Sequence, residues 1–178
     1  MSFAQDLRKG KIDKTLLTPG VGEVDLVLLL DNVYDTFNVG GMYRVGDASG
    51  VSYIYHCGQT PISPNPKIKR AAVGLDDYIK HESVPNILDK IKELKKAGYQ
   101  IVSLEQTKNS QPYDKVPFSG KIALVSGNET FGVSEAVVEA SDIVVELPMY
   151  VVNKSLNVVV ATGIVLYQIR RCLQGDTL

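Results

Sequence analysis

Three separated segments carry residue types suited to holding a polar ligand. Asn38-Val39-Gly40-Gly41-Met42-Tyr43-Arg44 joins a helix-start residue, two glycines that allow close backbone approach, and an arginine about two helical turns on. That guanidinium either snorkels over its apolar neighbours or is aimed at a phosphate or carboxylate. Gly127-Asn128-Glu129 follows an apolar run. Its glycine marks either a plain strand-to-helix turn or a place where a ligand lies against the main chain, and Glu129 is placed to accept a hydrogen bond or pair with a cation. Leu147-Pro148-Met149 leads to Ser155-Leu156-Asn157, where Ser155 and Asn157 can cap a helix and the helix start can offer free N–H donors to a ligand. Each segment ends an apolar run, so the three are expected to converge on one composite site.

The elements that must position them follow from periodicity. Val24 to Leu30 is a near-continuous apolar run, as in a strand buried on both faces of a parallel sheet. Asn38 to Ala48 reads as a helix and Val51 to Tyr55 as a strand, giving a first β-α-β unit. The proline-bearing stretch from Gly58 to Lys69 reads as a loop. Val84, Ile87, Leu88, Ile91 and Leu94 recur at helical spacing, closed by Lys95, Lys96 and Gly98. Strands are expected at Tyr99 to Leu104, Lys121 to Ser126 and Ile143 to Leu147, with a loop from Gln106 to Gly120. A short helix capped by Ser134 is expected through Ala140, and a long one capped by Ser155 through Cys172. Alternating strands and helices predict an α/β domain with a mainly parallel sheet flanked by helices, whose ligands sit beyond the carboxyl ends of the strands.

Composition fits one globular domain over residues 24–178, preceded by a basic arm over 1–23. The chain has 178 residues, 44% hydrophobic and 22% charged. No apolar run is long enough to span a bilayer, and no signal-like start is seen, which predicts a cytoplasmic protein. Cys57, Cys172, His56 and His81 lack metal-ligand spacing, so no metal is expected and the thiols are expected to be free. The net charge of −1 argues against a uniformly basic surface. Two basic clusters remain, Arg8, Lys9, Lys11 and Lys14 in the arm, and Lys67, Lys69 and Arg70, each either a solvated face or a phosphate contact. Val158, Val159, Val160, Ile164, Val165, Leu166 and Ile169 make the last helix apolar nearly all round, more than a one-sided helix buries, which predicts a subunit interface.

Taken in order, Asn38-x-Gly40-x-x-x-Arg44, Leu124-Val125-Ser126-Gly127-Asn128-Glu129-x-x-Gly132-Val133-Ser134 and Leu147-Pro148-Met149 with Ser155-Leu156-Asn157-Val158 and Ala161-Thr162-Gly163 resemble the three successive motifs of the SpoU (TrmH) RNA ribose methyltransferases of the SPOUT class. The resemblance runs from about residue 24 to 172. It implies a C-terminal trefoil knot and a homodimer that completes each active site, with methyl transfer from S-adenosylmethionine to a ribose 2′-hydroxyl of tRNA or rRNA. By motif position Arg44 is the catalytic arginine, supported by Asn38 and Glu129, with Ser155 and Asn157 lining the pocket and Gly127, Leu147 and Leu156 holding the cofactor. The implied partner is RNA, tRNA ahead of rRNA, with no part for DNA or a membrane. Recognition falls to the dimer surface, to Arg8, Lys9 and Lys11, and to Lys67, Lys69 and Arg70. One departure is that Tyr150-Val151-Val152-Asn153-Lys154 stands where the family commonly has a glycine. Two other readings are a catalytically silent RNA-binding homodimer and a flavodoxin-like phosphoacceptor domain using Asp31 and Asp35 with Thr107 and Lys108.

Overall fold

The computed structural model describes residues 24–152 and 154–175. The arm with Arg8, Lys9, Lys11 and Lys14 lies outside the described residues. Seven parallel strands form one sheet: β1 (Leu26–Asp31), β2 (Tyr53–Cys57), β3 (Lys80–Val84), β4 (Tyr99–Leu104), β5 (Gln111–Pro112), β6 (Lys121–Ser126) and β7 (Ile143–Glu146), in the order β3-β2-β1-β6-β4-β7-β5. Among the described residues five α-helices accompany it: α1 (Thr36–Ser49), α2 (Pro66–Ala72), α3 (Ile87–Lys96), α4 (Glu135–Ala140) and α5 (Val158–Leu173).

β1 is buried at every residue because it is central, with apolar clusters on both sides of the sheet. Leu26, Leu28 and Leu30 pack with α1 and α5 residues such as Val39, Met42, Val165 and Ile169. Val27 and Leu29 face the other way, among Ile91, Leu94 and Val137 of α3 and α4. Because β6 runs parallel to β1 in register Leu30↔Ser126, the loops leaving these two strands emerge side by side. That adjacency positions the first two motifs.

Several sequence expectations need correction. Val84 ends β3 instead of opening α3, and β3 itself was not expected. The loop expected to Lys69 gives way to α2 at Pro66, where Asn65 accepts hydrogen bonds from the Lys67 and Ile68 N–H groups and proline fills a first-turn position that has no donor to lose. The loop expected from Gln106 contains β5 and a 3-10 turn. Ser155 does not cap α5: Asn157 does, accepting from Val159 and Val160 N–H at 2.9 and 3.4 Å. The glycines of the first motif serve helix packing: a Cβ on Gly40 would overlap Ala71 Cβ and lie 2.9 Å from the backbone of Ile68 and Ala72 in α2, and one on Gly41 would meet Val159 of α5 at 3.0 Å. Gly40→Ala is therefore expected to lower the melting temperature by several degrees, since overpacking costs about 1–3 kcal/mol, each worth roughly 2–4 °C in a chain of this size; calorimetry checks it.

Beneath α1 lies a buried polar cluster. The Tyr43 hydroxyl meets His56 Nε2 at 2.9 Å, and His56 Nδ1 lies 2.9 Å from the Pro61 carbonyl oxygen. Burial lowers the His56 pKa to about 4, against the opposing effect of the Pro61 contact and with a smaller lowering contribution from His81. The unfolded chain takes up a proton near pH 6.5 that the folded chain refuses, so this stability is complete above pH 6.5 and is lost as pH falls towards 4. Denaturant unfolding at pH 5 against pH 7.5 is expected to show a loss of about 2 kcal/mol in the wild type. His56→Gln is expected to flatten that slope, and an unchanged slope in the variant would remove His56 as its cause.

Candidate active site

The site is a cleft of about 820 Å³ at the carboxyl ends of β1, β4, β6 and β7, where parallel sheets place ligands. Three ties bind the β1–α1 loop to the β6–α4 loop. Asp31 Oδ2 accepts from the Ser134 N–H at 2.9 Å and hydroxyl at 2.8 Å. Asn128 Nδ2 donates to the Asn32 carbonyl at 2.7 Å. Glu129 accepts from Tyr34 N–H at 3.2 Å, Asp35 N–H at 3.1 Å and Asn38 Nδ2 at 2.9 Å. Asp31 is only 1% exposed and its carboxylate is taken by Ser134, while the exposed Asp35 caps α1 through the Phe37 and Asn38 N–H groups, so both carboxylates of the phosphoacceptor reading have structural tasks.

The third segment joins through α5. Asn157 Nδ2 donates to Asn38 Oδ1 at 3.0 Å while Asn157 Oδ1 caps the helix. The three side chains therefore form one directed relay. An ionised Glu129 only accepts, so Asn38 must turn its NH₂ group towards it, and Asn38 Oδ1 then demands the NH₂ of Asn157, whose oxygen is left for α5. Burial raises the Glu129 pKa, but the bonds from Asn38 and from backbone N–H groups, including those of Asp35 and Tyr34, outweigh this and hold it below the ordinary carboxylate value. Glu129 is thus held as an anion that orients neighbours, and is poorly suited to taking a proton at neutral pH.

Of the residues singled out from sequence, Asn38, Gly127, Glu129, Leu147, Ser155, Leu156 and Asn157 all line the cleft. Arg44 does not. It is exposed on α1, outside its own cleft. Helical spacing puts Arg44 on the side of α1 shared by Phe37, Gly40, Gly41, Asp47 and Ala48. That side adjoins α5: Val45, Val159, Val160, Gly163, Ile164 and Tyr167 line an apolar groove, and the Tyr167 hydroxyl donates to the Ala48 carbonyl at 3.3 Å. Lys67, Lys69 and Arg70 are exposed on α2 and do not line the cleft, and Lys69 pairs with Asp77 at 2.7 Å.

Sequence reasoning missed Glu105. It ends up in the cleft, its Oε2 accepting from Val133 N–H at 2.7 Å and its Oε1 from Gln106 N–H at 2.8 Å, so it braces the turn after Gly127. Only the β4–β6 pairing brings these segments together, and no local pattern marks it. Among the described lining residues Asp35, Glu105, Glu129 and Glu146 face one cation, Lys154, so the cleft favours positive charge. Its apolar wall of Leu104, Leu147, Met149, Leu156, Val158 and Ala161 suits a flat ring. No group of three or more His, Cys, Asp or Glu side chains among the described residues is arranged to hold a metal ion.

Fold and site together define a parallel-sheet α/β protein with an acidic, partly apolar cleft built from three helix-start and turn segments. The sequence pattern of the SpoU rRNA methylase family matches residues 25–167, and the chain belongs to that family. It is 38% identical over 149 residues to the tRNA (guanosine(18)-2′-O)-methyltransferase of Aquifex aeolicus, covering 83% of this chain and 69% of that protein. It is 36% identical over 146 residues to the 23S rRNA (guanosine(2553)-2′-O)-methyltransferase RlmP of Bacillus subtilis, covering 81% of this chain and 57% of that protein. An AdoMet-bound rRNA methyltransferase from Sinorhizobium meliloti superimposes with a TM-score of 0.78 at 29% identity, covering 93% of this chain and 59% of that one. The chain thus spans a little more than half to about two thirds of these relatives.

Proposed function

We propose that this protein transfers a methyl group from S-adenosylmethionine to a ribose 2′-hydroxyl of RNA, tRNA ahead of rRNA, as a cytoplasmic homodimer. The observation that carries this is the Asn157–Asn38–Glu129 relay, which draws the three family motifs into one cleft of cofactor size. The cleft fits the cofactor: its apolar wall suits the adenine and its carboxylates suit a net positive ligand. Bound there, the cofactor supplies an electrophilic sulfonium methyl. Gly127, Leu147 and Leu156 hold it, while Asn38, Ser155 and Asn157 present polar groups to the ribose. The threaded C-terminal segment implied by the family resemblance belongs to this reading.

The same acidity that suits the cofactor repels a phosphate, so an RNA backbone needs a cation from outside the protomer's own cleft. Arg44, the arginine of the first motif, is exposed and can supply it. It stands on α1, which with α5 forms a groove that leaves Val160, Ile164 and Tyr167 exposed, a face whose burial against a second copy would carry the guanidinium towards the partner's cleft. There its planar fork orients the ribose–phosphate and stabilises charge developing on the attacking oxygen. Light scattering at micromolar concentration is expected to give twice the 19.4 kDa chain mass, and a monomer would remove this arrangement. Incubation with radiolabelled S-adenosylmethionine and total RNA, followed by digestion to nucleosides, is expected to place label on 2′-O-methylnucleosides. Cofactor binding without ribose label would leave the fold and remove the activity.

A further inference from the structure

Phe131 is 82% exposed, and its backbone is held in a hydrogen-bonded turn. It sits in the turn closed by reciprocal Asn128–Gly132 backbone hydrogen bonds of 2.9 Å. Asn128 Oδ1 also accepts from the N–H groups of Thr130 at 2.8 Å and Phe131 at 3.0 Å. The same turn sends Glu129 inward to the relay and the Phe131 phenyl to the rim of the cleft. Tyr34, 49% exposed, lines the same cleft, and its N–H donates to Glu129. Two rings are therefore presented to solvent at the cleft, Tyr34 from backbone bonded to Glu129 and Phe131 from a turn held by Asn128. Neither residue is part of the apolar groove between α1 and α5.

We propose that Phe131, with Tyr34 beside the same carboxylate, is a stacking platform for an unpaired nucleobase next to the methylated ribose. This rests on the ribose-methylation reading and narrows its substrate. Bases in an A-form duplex are stacked on both faces, so an aromatic ring at the rim engages a base only where the strand is unpaired. The target nucleotide accordingly lies in a loop or single-stranded stretch of RNA. Because every base has a π-face, the platform tolerates different neighbouring bases and sets position more than sequence.

The chain has no tryptophan, so Phe131→Trp introduces a single fluorescent reporter. Its emission is expected to be quenched by total cellular RNA and unaffected by a fully paired RNA duplex. Phe131→Ala is expected to raise KM for RNA by about tenfold or more, while AdoMet affinity by calorimetry and mass by light scattering stay unchanged. Equal quenching by duplex, an unchanged KM, or a change of oligomeric state in Phe131→Ala would overturn the platform; the last would mean that the ring is covered by a second copy. The two readings separate: RNA-specific quenching without methyl transfer by the wild type removes the activity and retains the platform, whereas transfer without quenching removes the platform alone.

Discussion

Arg44→Ala is expected to reduce methyl transfer to RNA by about a hundredfold or more, the usual effect of removing one preorganised donor to developing charge, while leaving AdoMet binding intact. Arg44 does not line its own cleft, so its removal takes nothing from the wall that would hold the cofactor. Arg44→Lys is expected to remain far below wild type, because a point ammonium lacks the planar fork. The shared-site arrangement adds a sharper expectation. Arg44→Ala and Asn157→Ala homodimers should each be nearly inactive, the first lacking the guanidinium and the second the link from α5 to Asn38. In a mixed dimer, one cleft pairs the intact relay of the Arg44→Ala chain with the intact arginine of the Asn157→Ala chain. With random exchange, co-refolding the two should restore about a quarter of wild-type activity, since half of the dimers carry one intact site of two. No recovery in dimers shown to have exchanged would mean that Arg44 acts within its own protomer, by a rearrangement of α1.

What was legible from sequence follows burial. β1, β4 and β6 are apolar runs because neighbouring strands flank both their edges and helices cover both faces, and such runs are visible without knowing the fold. β3 reads Lys80-His81-Glu82-Ser83-Val84 because it is a sheet edge; with four of five residues not fully buried, no periodicity announces it. α2 was hidden by its prolines, although Asn65-Pro66 is a cap followed by a first-turn proline and carried the signal. Ser155 and Asn157 are both cap-forming types, and the sequence offers no way to choose between them. The choice is made by Asn38, which takes the free amide of Asn157.

The site was legible as three segments and illegible as one network. The bonds that matter span 91 residues between Asn38 and Glu129 and 119 between Asn38 and Asn157, and both exist because β1 and β6 are neighbours and α5 packs on α1. Arg44 was read as either snorkelling over its apolar neighbours or aimed at a phosphate or carboxylate, and the structure leaves it exposed on α1, outside the cleft that Asn38 lines. Six residues on, a side chain points about 120° away from Asn38 around the axis. Glu105 follows a strand with nothing local to mark it, and only the tertiary approach of Val133 gives its carboxylate a task.

Gly127→Ala is expected to abolish AdoMet binding and to destabilise the fold. A Cβ at this position would overlap the backbone of Gly132 and Val133, not the movable end of a side chain. That backbone is held from several directions: Gly132 bonds reciprocally with Asn128, Val133 N–H donates to Glu105, and Ser134 N–H donates to Asp31. The methyl group therefore cannot be accommodated without opening the turn. Overpacking of this kind costs about 1–3 kcal/mol, or roughly 2–12 °C in melting temperature for a chain of this size. Opening also displaces Glu129, two residues on, and with it the relay to Asn38 and Asn157. Thermal unfolding with and without AdoMet separates the two consequences: the variant should melt lower and show no ligand-induced rise. If it instead bound AdoMet as the wild type does, despite melting lower, Gly127 would be a packing glycine in a strand-to-helix turn, and the close approach to the cofactor would have to be sought at Leu147 and Leu156.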